Sequence, residues 1–345
     1  MASNKVAVAL SGGVDSAVAA WLLKSRGFQV FAFTLQLFPG DKSKALTDAA
    51  ALISHTLGIQ HNVLDISSSF NKTVITPFCR DYSRGLTPNP CVMCNLKIKF
   101  GFLLEHVQHT GFEFMATGHY VRRFSTSGGG FELHKALDAS KDQSYFLYRL
   151  THRKLDSLLF PLGGLTKART RRLALEAGLP VSPDKESQDI CFLPLGDYRQ
   201  LVESQFPVLT GSFVDQQGKC VGPHQGFHHY TVGQRHGLKL GTHQKLYVLG
   251  MDSKSGNIVL GPESGLVRDE LVAGHVSWIS GKFPGSDTSI SARIRSRAHE
   301  VPVQLSVSGN KVKVKFFQPV KSVSPGQSVV FYAGNRLLGG GIILA

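Results

Sequence analysis

Lys5-Val6-Ala7-Val8-Ala9-Leu10-Ser11-Gly12-Gly13-Val14-Asp15-Ser16 sets a short apolar run directly against a glycine loop. The apolar run suits a strand buried on both faces. The two glycines let the backbone bend tightly and turn its N–H groups toward an anion. Ser11 and Ser16 add hydroxyl donors, and the helix expected after the loop contributes its positive end. Asp15 is itself an anion, so it suits either a Mg²⁺ ion that bridges it to phosphates or a helix cap. A plain strand-to-helix turn is the bland alternative. The chain has no G-x-x-x-x-G-K-[ST] and no G-x-G-x-x-G, so neither a γ-phosphate lysine loop nor a dinucleotide fingerprint is present.

Outward from the loop, strand-like and helix-like segments alternate. Residues 15–26 read as a buried helix closed by Gly27. Residues 29–36 read as a second strand, 45–57 as a helix stopped by Gly58, 60–66 as a third strand and 112–117 as a fourth. This alternation predicts an α/β, doubly wound parallel sheet, with ligand bound beyond the carboxyl ends of its strands. The texture changes near Asp197. A short helix at 198–206 precedes turn clusters such as Asp215-Gln216-Gln217-Gly218, which predict a small β-rich central domain. Strands at 289–297, 301–307, 311–317, 327–332 and 337–344 then predict a C-terminal β-barrel. The expected divisions are 1–197, 198–265 and 266–345.

The chain has 345 residues, with 38 Lys plus Arg against 24 Asp plus Glu, a formal charge of +14. An excess of this size favours a polyanionic partner, nucleic acid before an acidic protein surface. No run approaches the ~20 apolar residues of a membrane span. No signal-peptide pattern is present, and five cysteines are too few for a disulfide scaffold, so a cytoplasmic location is expected.

Thr87-Pro88-Asn89-Pro90-Cys91-Val92-Met93-Cys94-Asn95 joins a stiff turn to C-x-x-C. A helix over 95–106 would put both thiols at its N-terminus, where the macrodipole lowers a thiol pKa. Cys191 lies far downstream, in the segment 185–192. A four-cysteine zinc site would need a second C-x-x-C, which is absent. A redox pair, buried structural thiols, catalysis and cluster binding all remain open on these residues alone. Cys79 and Cys220 have no motif around them and read as structural.

Taken together these segments resemble the tRNA-specific 2-thiouridylases (MnmA type) over essentially the whole chain, and the glycine loop resembles the PP-loop of ATP pyrophosphatases. The resemblance rests on 11–16, 87–95, Ala116-Thr117-Gly118-His119-Tyr120, 141–147, 185–192, Tyr230-Thr231-Val232-Gly233-Gln234-Arg235 and Pro325-Gly326-Gln327 with Leu338-Gly339-Gly340-Gly341. It implies an N-terminal PP-loop domain, a small central domain and a C-terminal barrel. It also implies thiolation at C2 of the wobble uridine (position 34) in tRNAs for Lys, Glu and Gln. ATP with Mg²⁺ would adenylate the uridine O2, and sulfur would displace AMP.

Carried over by position, Ala9, Leu10, Ser11, Gly12, Gly13, Val14, Asp15, Ser16, Leu35 and Gly118 would contact ATP. Cys94 matches the family nucleophile and Cys191 the residue that carries persulfide sulfur from a donor protein. Asn89, Pro90 and Cys91 fall where the family holds the target base. His119, Lys141, Asp142, Gln143, Arg295, Ser296 and Gln327 align with tRNA-contacting positions. Two sulfur routes stay open. In one, persulfide on Cys191 is released as Cys94 and Cys191 form a disulfide. In the other, Cys91, Cys94 and Cys191 hold a [4Fe–4S] cluster with one open iron.

Three departures from the family stand out. Cys91 replaces an Asp found in many members, Ser296 replaces the tyrosine of an Arg-Tyr-Arg segment, and 38–44 is short. Arg293, Arg295 and Arg297 alternate along an expected strand and would form a stripe for a phosphate backbone. Lys311, Lys313 and Lys315 alternate too, as on a lysine-protected edge strand. Lys167, Arg169, Arg171 and Arg172 suit either a tRNA contact or a solvated helix start. The rivals are a PP-loop amine ligase, which would not need Cys94 or Cys191, and an RNA-binding module with an inert nucleotide loop.

Overall fold

The computed structural model describes residues 4–182, 190–193, 197–241, 244–285 and 287–344. Strands β1 (Lys5–Ala9), β2 (Gln29–Gln36), β3 (Gln60–Asp65) and β4 (Phe114–Ala116) follow the expected alternation, and each ends at or within a few residues of its expected limits. Two antiparallel strands, β5 (Val121–Ser125) and β6 (Phe131–Lys135), leave as a hairpin before β7 (Leu158–Leu159) completes the sheet. The order is β3-β2-β1-β4-β7, parallel throughout. Alternate residues of β1 supply opposite layers, as a strand's two-residue period requires. Val6 and Val8 pack with Val18 and Ile53 on one face, while Ala7 packs with Phe33, Phe100 and Met115 on the other.

Helix α1 (Val14–Ser25) ends at Gly27, whose φ of +84° is left-handed. Helix α2 (Asp41–Leu57) starts four residues before the expected 45, because Gly40 turns the chain at φ +99° and Asp41 suits the positive first turn. Two helical runs then flank the sheet. The first is α3 (67–83), with a π-helical turn at Asn71–Ile75, and the second is α4 (90–109), π-helical over Cys94–Leu103. Helices α5 (Lys167–Glu176) and α6 (Arg199–Gln205) follow. No described helix is long and apolar enough to cross a membrane.

The central region is a four-stranded sheet, β8 (Gly211–Val214), β9 (Cys220–His224), β10 (Tyr247–Asp252) and β11 (Asn257–Gly261), in the order β10-β11-β8-β9. Phe213, Phe227, Tyr230, Val248 and Ile258 form its core. The C-terminal strands are β12 (Val267–Trp278), β13 (Ile290–Arg293), β14 (Val301–Ser308), β15 (Lys311–Lys321), β16 (Ser328–Ala333) and β17 (Arg336–Ile343). They close as β12-β15-β14-β13-β16-β17-β12, an antiparallel six-stranded barrel around Leu271, Ile290, Val314, Phe316, Val329 and Phe331.

Two expectations change here. Strand β15 lies between β12 and β14 rather than at an edge, so Lys311, Lys313 and Lys315 mark the barrel's outer face, where Lys313 pairs with Glu270. The strand expected over 289–297 ends at Arg293, so the three arginines form no stripe. The chain leaves the sheet there because Arg295 turns inward to bind backbone carbonyls.

The hairpin joins the two largest units. β6 pairs antiparallel with β17, Leu133 opposite Leu337 and His134 opposite Arg336, while residues further along β17 pair with β12. Lys135 caps the seam, donating to Glu300 and to the Gly334 carbonyl, each at 2.8 Å.

Candidate active site

The strand order reverses between β1 and β4, the point at which a doubly wound sheet opens a crevice. The loop 11–16 follows β1 and residues 117–119 follow β4, so both fall there. Gly12 has φ +77°, and a Cβ on it would lie 2.7 Å from the Leu46 carbonyl oxygen. A Cβ on Gly118 would lie 2.8 Å from the Asp15 carbonyl carbon and the Ser16 nitrogen, so this glycine lets the two loops touch. Ser11 N–H donates to Ser16 Oγ at 3.1 Å and Ser16 Oγ donates to the Gly13 carbonyl at 3.0 Å, which fixes the turn. Ala9, Leu10, Val14 and Leu35 are buried or half-buried around it. A cleft of about 320 Å³ opens alongside, lined by Gln36, Gly40, Asp41, Lys44 and Thr47.

Asp15 is neither a helix cap nor bare. Lys167 Nζ bridges its two carboxylate oxygens at 2.7 and 2.8 Å, and the Tyr120 hydroxyl donates to Oδ1 at 2.9 Å. Lys167 opens α5 with its side chain only 8% exposed, so it is no part of a solvated cluster. Arg169 and Arg172 of the same helix reach out to Glu176. Nothing in the spacing of 167–172 distinguishes the inward lysine, and burial alone does so.

The site's three thiols come from two segments, 87–95 and the stretch around Cys191. Asn89 caps the start of α4, its Oδ1 accepting from Cys91 N–H at 3.2 Å and Val92 N–H at 3.4 Å, and Pro90 takes the first helical position. The barrel presses on this turn. Thr87 N–H donates to the Pro325 carbonyl at 2.8 Å, and a Cβ on Gly326, at φ +89°, would come within 2.9 Å of Thr87 N. Cys94 is buried and begins the π-helical run, whereas Cys91 and Cys191 reach the surface with much of the space around their thiols enclosed by protein. Lys42 of α2 donates to the Leu193 carbonyl at 3.5 Å, which ties the Cys191 segment to the helix beside the cleft. Residues 185–189 of the matched segment lie outside the described residues.

All five cysteines are free thiols. Cys91, Cys94 and Cys191 lie within electrostatic reach of one another, and desolvation holds each pKa above the ordinary thiol value, that of Cys94 at about 12. The macrodipole expectation therefore fails, because the loss of water around Cys94 outweighs a helix start of one short turn. Lys99 opposes the rise at all three thiols, and Lys42 does so at Cys191. Lys99 was not visible as a functional residue in the sequence, since a lysine inside a helix ordinarily faces water. Cys79 is buried against the Leu201 carbonyl, whereas Cys220 is exposed on β9 rather than packed. Asn95 donates to the Phe146 carbonyl at 3.2 Å, and its buried Oδ1 has no hydrogen-bond partner among the described residues.

The remaining expected residues divide into inward and outward groups. His119 is buried, bonded through Nδ1 to Thr117 Oγ1 at 2.8 Å, and burial drives its pKa well below the usual histidine value. Gln143 Oε1 accepts from Tyr120 N–H at 2.9 Å. Asp142 Oδ1 accepts from Ala136 N–H and Ser144 N–H, while Oδ2 accepts from Ser144 Oγ and Arg293. Arg295 donates to the carbonyls of Val232 and Ser322 and to Ser324 Oγ, tying the central region to the barrel. Lys141, Ser296 and Gln327 are half-buried.

A family model described as the tRNA methyl transferase HUP domain matches residues 4–195. Models for the tRNA methyl transferase PRC-barrel domain and the aminomethyltransferase beta-barrel domain match 199–262 and 268–343. The chain is 41% identical over 356 residues to a tRNA-specific 2-thiouridylase, MnmA 2, of Thermoanaerobacter sp. (strain X514), covering 99% of this chain and 98% of that one. It is equally identical to the MnmA of Geotalea uraniireducens (strain Rf4), covering 99% and 95%, and to that of Roseiflexus castenholzii (strain DSM 13941 / HLO8), covering 98% and 99%. Among solved structures, the U34-tRNA thiolase NcsA from Methanococcus maripaludis with its [4Fe-4S] cluster matches with a TM-score of 0.38. The identity is 20%, over 58% of this chain and 63% of that one, too distant to carry over a ligand.

Proposed function

The chain belongs to the MnmA family of tRNA-specific 2-thiouridylases, and from that premise we propose that it thiolates C2 of the wobble uridine of tRNA through Cys94 and Cys191, at the expense of ATP. The loop 11–16, with Gly118 packed on it, suits the triphosphate, and the cleft beside Gln36 and Thr47 leaves room for the rest of the nucleotide. With Lys167 across both oxygens of Asp15, the loop meets an anion without net negative charge from its own carboxylate. A Mg²⁺ ion at Asp15 would share the carboxylate with Lys167 or displace it.

The chemistry divides into three displacements. The uridine O2 attacks the α-phosphorus, and the bond to pyrophosphate breaks. A terminal persulfide sulfur on Cys191 attacks C2, and AMP leaves with the C–O electron pair. The Cys94 thiolate then attacks Cys191 Sγ, breaking the S–S bond. Sulfur stays on the base and a Cys94–Cys191 disulfide forms, which an external dithiol reduces. The persulfide comes from a sulfur-donor protein. The relatives are named for sulfur transfer and the family model for methyl transfer. The thiol pair supports sulfur transfer, because a persulfide carrier and a resolving thiol both have a use in it.

The observation that carries this reading is that Cys94 and Cys191, nearly a hundred residues apart, lie within electrostatic reach of each other and of Lys99, with the Cys191 segment tied to α2. Cys91, within electrostatic reach of both, supports a second reading, in which Cys91, Cys94 and Cys191 are the three thiolate ligands of a [4Fe–4S] cluster. Three thiols within electrostatic reach of one another suit that donor set in number and type, and such a cluster would offer an open iron to sulfur.

The test is 2-thiouridine yield, by nucleoside mass spectrometry, from metal-free protein given unmodified tRNA, ATP-Mg²⁺ and a persulfide donor. A clear yield without iron supports the persulfide route. A yield only after anaerobic cluster rebuilding supports the second reading, and no yield in either state overturns both. A Cys91→Ser chain with full activity would exclude the cluster.

A further inference from the structure

We propose that Glu203, His228 and His229 form a binding site for one divalent cation of the zinc type, in the central region and apart from the thiols. Glu203 lies in α6, and the two histidines lie in the single helical turn Phe227–His229. His228 Nε2 is 2.9 Å from Glu203 Oε1, and His229 Nε2 is 3.4 Å from the same oxygen. The three ligand atoms all lie within 4.8 Å of one another. Among the described residues no other three His, Cys, Asp or Glu ligand atoms come so close together, the active-site cysteines included.

The spacing suits the ion. Tetrahedral zinc with bonds of about 2.0–2.2 Å holds its ligand atoms roughly 3.3–3.5 Å apart. The longer of the two observed distances already has that value, and the shorter needs a few tenths of an ångström. Two histidines and one glutamate also form a donor set that zinc uses when it keeps a fourth position for water.

The surroundings hold the ligands in place. Gly226, at φ +119°, passes so close that a Cβ there would meet His228 Cε1 at 2.8 Å, which fixes that ring. His228 is buried and Glu203 is exposed, so the site has a dry inner wall and an open mouth. The neighbouring Arg199 is held bidentate by Asp197, at 2.9 and 3.1 Å, which matches its charge. A bound ion would fasten α6 to the 227–229 turn. Cys79 of α3 donates to the Leu201 carbonyl, so α6 in turn rests on the nucleotide-binding unit. The alternative is a hydrogen-bonded clasp in which both imidazoles share one carboxylate oxygen.

Thiols also bind zinc, so the test uses the full chain with Cys91, Cys94 and Cys191 each changed to Ser. It is titrated with Co²⁺ in equilibrium dialysis while visible absorption is recorded. The expected result is one Co²⁺ per chain, with ligand-field bands and no thiolate charge-transfer band. Adding Glu203→Gln or His229→Gln should weaken binding at least tenfold. Circular dichroism checks that each variant is folded, and Glu203, being exposed, is the safer change. Zn²⁺ should raise the melting temperature of the parent and leave that of Glu203→Gln unmoved. Absence of saturable binding in the parent, or binding unchanged in both folded variants, overturns the site and leaves the clasp.

Discussion

The glycine loop and the thiol pocket are built in opposite ways. The loop is almost wholly local: six consecutive residues follow β1, and their conformation is set by Gly12 and by the approach of Gly118. The pocket is a meeting of α4, the Cys191 segment and, behind the 87–90 turn, the barrel residues Pro325 and Gly326. A local loop holds its shape through backbone geometry. A pocket assembled from distant segments depends on every segment arriving. Perturbing the two should therefore give different signatures.

The largest effect should come from Cys94→Ser or Cys191→Ser. Thiolation should fall below detection while tRNA-dependent pyrophosphate release persists, as radiolabelled ATP would show. Loss of both activities together would mean that the two regions are not separable. Gly12→Ala forces a side chain into a left-handed backbone and against the Leu46 carbonyl, a strain of about 1–3 kcal/mol. ATP affinity should drop roughly ten- to a hundredfold by calorimetry, with the thiols' reactivity toward a maleimide unchanged.

Lys167→Met leaves Asp15 with the Tyr120 hydroxyl but no cation. Breaking a fully buried pair costs about 3–5 kcal/mol, but Asp15 is a third exposed, so about 1–3 kcal/mol is expected in denaturant melts, together with weaker ATP binding. For the pocket, desolvation raises the thiol pKa values, so thiolate grows as pH rises and the thiol-dependent step should speed up from pH 7 toward 9. Lys99→Met removes the cation that opposes that rise. It should slow thiolation several-fold at pH 7 and displace the rate profile upward in pH, which single-turnover assays would resolve. Gly326→Ala strains a left-handed backbone against Thr87, but on the barrel side of the 87–90 turn, so it should have the smallest effect on catalysis, a few-fold loss of thiolation with ATP binding intact.

The comparison also explains what the sequence could reveal. Strand β2 is found at its expected residues because a run of apolar and β-branched residues bounded by Gly27 and Pro39 has few other conformations. Gly58 stops α2 as expected, since its left-handed φ of +59° suits glycine. The residues that set charge were harder to read. Lys167 and Arg172 belong to one basic run, and only packing turns the first onto Asp15 and the second toward Glu176. Arg295 and Asp142, expected at the tRNA surface, each have an internal partner from another part of the chain, Arg295 at Ser322 and Asp142 at Arg293. The hairpin β5–β6 carried no signal of its destination, because its partner strand begins about two hundred residues later.

That separation sets the order in which the molecule can be made. β6 emerges from the ribosome with one side bonded to β5 and the other bare until β17 follows. At about 5–20 residues per second, two hundred residues take roughly 10–40 s. Throughout that interval the nascent chain displays an open strand edge, the kind of surface on which another chain can pair. The hairpin that leaves the nucleotide-binding unit thus gains its second neighbour only from a strand made about two hundred residues later, and the same strand closes the barrel.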